Sequence, residues 1–78
     1  MQPVYETLET VPDPLGSEGD YWLVRKWVNA PATERSYLIM NQHGQVRFIS
    51  WCLYSARWAV KQLTDPAKAL SVPYKFLP

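Results

Sequence analysis

A chain of 78 residues with a formal net charge of +1 has room for one domain, and its 47% apolar and 19% charged residues exclude a disordered segment. At this size folding removes only about 60% of the unfolded chain's surface from water, so each of the four Trp and five Tyr matters to the core. The single cysteine, Cys52, excludes an internal disulfide, and no apolar run approaches the roughly 20 residues of a membrane-spanning helix.

Residues 4–11, Val-Tyr-Glu-Thr-Leu-Glu-Thr-Val, alternate with period two and predict an edge strand, with Tyr5, Thr7, Glu9 and Val11 on one side. Pro12 to Asp20 holds two Pro and two Gly and predicts a loop. Tyr21 to Val28 is an aromatic and β-branched run bounded by loop signals, the clearest strand in the chain. Asn29 to Glu34 predicts a turn, and Arg35 to Met40 a further strand. Asn41-Gln42-His43-Gly44 predicts a hairpin turn that leads into a strand over Gln45 to Ile49. Ser50 has the chemistry of a helix N-cap for a helix from Trp51 to Leu63, which Asp65-Pro66 ends. Asp65 can cap one extra turn beginning at Pro66, and the apolar tail to Pro78 is expected to lie extended against the body.

These elements predict an α+β fold in β-β-β-β-α order: a small antiparallel sheet of three to four strands with one C-terminal helix on one face. The single domain, residues 1–78, divides into an acidic strand and loop (1–20), a β-β-β-α body (21–63) and the extended apolar tail (64–78). Charge follows the same division. Residues 1–20 carry Glu6, Glu9, Asp13, Glu18 and Asp20 and no Lys or Arg, whereas residues 21–62 carry Arg25, Lys26, Arg35, Arg47, Arg57 and Lys61 against Glu34 alone. The acidic segment either lies across the basic body or leaves that body free for an acidic partner.

At 100° per residue, Cys52, Ala56, Ala59 and Leu63 cluster on one helix face with Leu53 and Val60 beside them, a smooth surface for packing on a sheet. Trp51, Tyr54, Arg57, Trp58 and Lys61 fall on the opposite face. Either the N-terminal segment or the tail covers them, or they form a contact surface of the residue types that dominate binding hot spots. The sheet carries apolar residues on both sides, so the side away from the helix needs the N-terminal segment, the tail, a second copy of the chain in a homodimer, or another partner. One version of that side, lined by Arg25, Trp27, Tyr37 and Arg47, has the cations and aromatic rings that a nucleic-acid-binding sheet uses.

Catalytic chemistry finds little purchase. His43 lies alone in a predicted turn, Cys52 on the apolar helix face reads as a small core residue, and three glycines form no phosphate loop. One His and one Cys cannot assemble an ordinary metal site, so no cofactor is expected. A small, aromatic-rich domain without such features is expected to be a non-enzymatic protein-binding module, an adaptor, regulator or inhibitor, of the size and style that phages encode to act on a host protein. The alternatives are a small nucleic-acid-binding domain using the basic aromatic sheet face, and a subunit stable only beside its neighbours. With no basic, apolar leader at Met1 to Glu6, the expected location is a reducing cytoplasm.

Overall fold

In a computed structural model, residues 2–72 are described; residues 73–78 of the predicted tail lie outside them, and its described part is not extended but forms a turn and a 3-10 helix, Ala69–Ser71. The elements are β1 (Tyr5–Pro12), β2 (Tyr21–Trp27), β3 (Tyr37–Asn41), β4 (Val46–Ser50), α1 (Leu53–Leu63) and a 3-10 turn (Ala69–Ser71). The four strands form one antiparallel sheet in the order β1-β2-β3-β4, and α1 packs across one face of it.

Local chemistry accounts for the connections. In the β3–β4 turn the Asn41 carboxamide oxygen accepts from the backbone N–H groups of His43 and Gln45, both at 3.0 Å. Gly44 closes that turn at φ 80°, a conformation that costs a residue without Cβ nothing. In the β1–β2 loop the Asp13 carboxylate accepts from the Leu15 and Ser17 backbone N–H groups. After α1, the Asp65 carboxylate accepts from the Ala67 N–H at 2.9 Å, the cap that its place before Pro66 predicts.

The helix starts two residues later than the sequence suggests. Ser50 is still extended, paired with Tyr37 across the ladder, so its hydroxyl cannot reach the first helical turn. It donates instead to the Cys52 carbonyl at 2.8 Å, and Trp51 and Cys52 make the bend between strand and helix.

Two irregularities set which side chain faces where. Register shifts between Thr7 and Glu9, so Leu8 is an extra residue in β1. It shifts again between Ile39 and Met40 opposite β4, where Met40 pairs with Val46 and Ile39 with Phe48, leaving Arg47 extra. A bulge of this kind reverses the alternation beyond it. The predicted side of β1, Tyr5 with Thr7, Glu9 and Val11, is therefore divided. Tyr5 and Thr7 pair with Trp27 and Arg25 on the side away from the helix, while Glu9 and Val11 pair with Val24 and Trp22 on the helix side.

The main core lies between sheet and helix: Trp22, Val24, Ile39 and Phe48 from the strands, Ala56, Ala59, Val60 and Leu63 from α1, and Val72 beyond the 3-10 turn. On the other side Leu38, Met40 and Ile49 form a smaller buried cluster, flanked by the partly buried Leu23, Trp27 and Val46. Leu38, Met40 and Ile49 are already sealed within the single chain, so their burial does not call for a second subunit.

Candidate functional site

Helix α1 carries two stripes of the same spacing. Ala56, Ala59, Val60 and Leu63 are buried against the sheet. Tyr54, Arg57, Trp58 and Lys61 stand two residues earlier in each case, which is 200° around a helix of 100° per residue and places them on the far side. Tyr54 is 81% and Trp58 46% exposed. Together the four line a shallow cleft of about 280 Å³. Four of the five residues expected to form a contact surface are thus brought together by the i, i+3, i+4, i+7 geometry of one helix.

Trp51 is the fifth and does not join them. It lies in the bend before α1, where the helical wheel does not apply. It is 63% exposed and lines a separate cleft with Arg35, Cys52 and Ser55.

The electrostatics of the outer stripe depend on β1. The bulge at Leu8 turns Glu9 to the helix side, and its carboxylate accepts from Arg57 Nε at 2.6 Å. Both partners are partly exposed, so this pair is worth at most about 1 kcal/mol. Its structural effect is to tie the edge strand to the helix and to fix the guanidinium at the rim of the cleft. Lys61 has no ion pair among the described residues.

The four residues expected to make a basic aromatic sheet surface are split between the two sides. Arg25 and Trp27 face away from the helix, where Arg25 is engaged with its neighbours. Its Nε donates to Thr7 Oγ1 at 3.1 Å, a terminal nitrogen lies 3.6 Å from Met40 Sδ, and the guanidinium stands 6.0 Å from the centre of the Tyr5 ring. Tyr37 pairs with Lys26 and sits on the helix side, where its hydroxyl accepts from Lys26 Nζ at 3.0 Å. Arg47 is 5% exposed, also on the helix side, with a terminal nitrogen donating to the Val72 carbonyl at 2.9 Å and Nε 3.5 Å from Glu18. The bulge in β4 turns it inward, which a strict period of two does not anticipate.

Among the described residues, the ion pairs of Glu9 with Arg57 and Glu18 with Arg47 place two acidic residues of the first 20 positions against the basic body.

Cys52 stands apart from its expected place. It is exposed at the N-cap position of α1, not on the buried face, because the helix begins after it. Its Sγ lies 3.2 Å from Ser55 Oγ. Hydrogen bonding from the Ser55 side chain, then from the Ser55 backbone N–H, holds the thiol pKa below its ordinary value; desolvation opposes them and the Tyr54 backbone N–H adds the least.

His43 is exposed in the β3–β4 turn. Among the described residues no three His, Cys, Asp or Glu side chains converge as a metal site requires, and no helix is long and apolar enough to cross a membrane.

No family model, no curated protein and no solved structure matches this chain.

Proposed function

We propose that this domain is a non-enzymatic protein-binding module, an adaptor, regulator or inhibitor, that engages its partner through the outer stripe of α1. One observation carries the reading: Tyr54, Arg57, Trp58 and Lys61 line an exposed cleft while the large aromatics Trp22 and Phe48 are spent in the core. Folding places large apolar side chains inside wherever it can, because each buries on the order of 150–250 Å². Two aromatics left in water at helical spacing, with an arginine between them in sequence, match the composition of binding hot spots. The small size of the domain suits, within this proposal, a phage-encoded protein acting on a host factor.

The test is an affinity capture from host lysate with and without nuclease, using the unmodified protein and Tyr54→Ala. A discrete protein that survives nuclease and is lost with Tyr54→Ala is the expected result. Retention that disappears with nuclease, or that ignores Tyr54→Ala, overturns the reading.

A further inference from the structure

The charges around the outer stripe say what kind of segment it accepts. The cleft is lined by two aromatic rings and two cations, and no carboxylate belongs to its lining. At its rim Glu9 accepts from Arg57 Nε, and among the described residues neither the two terminal nitrogens of Arg57 nor the Lys61 ammonium has a protein partner. A guanidinium presents five N–H donors, so one carboxylate on Nε leaves the far side of the group able to take a second. Arg57 and Lys61 are one helical turn apart, which places two positive groups along one edge of the rings of Tyr54 and Trp58.

The surroundings separate the candidates. An extended phosphate backbone carries a negative charge every few ångströms and needs a run of cations. Here Glu6 lies opposite Lys26 and Glu9 accepts from Arg57, so the cleft offers two cations, one of them already shared with a carboxylate. A long polyanion would meet two cations in the cleft and no continuing run of them on β1, whose residues Tyr5–Pro12 hold no Lys or Arg. A short acidic segment, with one or two carboxylates beside an apolar side chain, meets the cations and the rings together and needs no further run of positive charge. A basic segment would meet Arg57 and Lys61 unfavourably.

Resting on the reading of the outer stripe as the binding surface, we infer that its occupant is an acidic segment of another protein. One carboxylate meets Lys61, a second meets the outer side of Arg57, and an apolar side chain lies between Tyr54 and Trp58.

A displayed library of random twelve-residue peptides, selected on the full-length protein, tests this without knowledge of the natural partner. The expected pool is enriched in Asp and Glu over the unselected library and contains an aromatic or aliphatic residue beside the acids. A synthetic peptide from that pool should bind about twofold to fivefold more weakly to Lys61→Gln, the effect of removing one exposed ion pair. It should bind about tenfold more weakly to Tyr54→Ala and to Trp58→Ala, as for hot-spot aromatics. Amide NMR spectra of each variant confirm that the fold is retained. Tyr54→Ala, at the more exposed ring, carries the test if Trp58→Ala disturbs the helix.

A pool without excess acid that is still lost with Tyr54→Ala overturns the acidic assignment and leaves the helix face as the binding surface. A pool indifferent to Tyr54→Ala, or no selection at all, overturns both. Displacement of the peptide by a single-stranded oligonucleotide at equal concentration assigns the cations to phosphate, and self-association lost with Tyr54→Ala assigns the surface to a second copy; either result overturns the inference.

Discussion

The two stripes of α1 invert the usual relation between size and burial. The inner stripe is Ala56, Ala59, Val60 and Leu63, and the outer stripe is Tyr54, Arg57, Trp58 and Lys61. The small inner residues let the helix approach the sheet closely, and the sheet supplies the bulk through Trp22 and Phe48. The outer aromatics are therefore not needed to fill the core. In a domain this small, with a thin core, leaving a Tyr and a Trp in water is a composition that folding alone does not favour.

Two tryptophans give the sharpest break of that comparison. Trp22 is 1% and Trp58 46% exposed. Trp22→Ala is expected to cost about 3–5 kcal/mol, which removes much of the stability of a small domain. Trp58→Ala, at a ring about half covered, is expected to cost about 1–2 kcal/mol. Urea unfolding followed by circular dichroism reads both. Equal costs would mean that Trp58 is structural and the division of the helix is wrong.

Enlarging the inner stripe tests the same division from the other side. Ala59 is fully buried, so Ala59→Leu forces the helix off the sheet and should cost about 1–3 kcal/mol. The same added bulk at exposed positions of α1 has no wall to meet. A neutral Ala59→Leu, measured in the same urea titration, would show a void between helix and sheet.

The ion pairs extend the comparison beyond the helix. Arg47→Ala leaves the buried Val72 carbonyl without its 2.9 Å donor and should cost about 1–3 kcal/mol. Arg57→Ala removes a partly exposed pair and should cost about 1 kcal/mol or less. Raised salt should narrow the second difference and leave the first, since screening acts on exposed charges. If both losses vanish in salt, Arg47 is more accessible than its burial indicates.

The element order and most of the strands were legible in the sequence because Pro12 to Asp20, the Asn41–Gly44 turn and Asp65-Pro66 punctuate runs of strand-forming or helix-forming residues. The stripe Tyr54, Arg57, Trp58 and Lys61 was legible because 3.6-residue periodicity runs unbroken from Leu53 to Leu63. What periodicity cannot reveal is an extra residue. Leu8 and Arg47 each break the two-residue alternation, and no turn residue or glycine marks either bulge. Those two positions decide that Glu9 faces Arg57 and that Arg47 leaves the side of the sheet that holds Arg25. Both ion pairs, and the division of the expected basic sheet face, follow from backbone irregularities that are silent in the sequence.

Cys52 shows the same limit at the helix start and carries the smallest expected effect. Counted as a helical residue it belongs to the inner stripe, four positions before Ala56, and would be a slow, buried thiol. At the N-cap it is exposed, and the Ser55 hydroxyl at 3.2 Å and nearby backbone N–H groups stabilise the thiolate. The thiolate is the nucleophile, so the pH midpoint of alkylation by iodoacetamide should lie below that of a free cysteine. Ser55→Ala removes the largest cause and should move the midpoint up, toward the value in the urea-unfolded chain. The linked stability has a fixed sign: a pKa depressed by folding favours the folded state above the unfolded pKa, and that contribution is lost as pH falls through the folded pKa. A midpoint at or above the unfolded value, with slow alkylation, would return Cys52 to the inner stripe and start the helix at Trp51. A depressed midpoint that Ser55→Ala leaves in place would assign the effect to the backbone N–H groups alone and still keep the thiol outside the core.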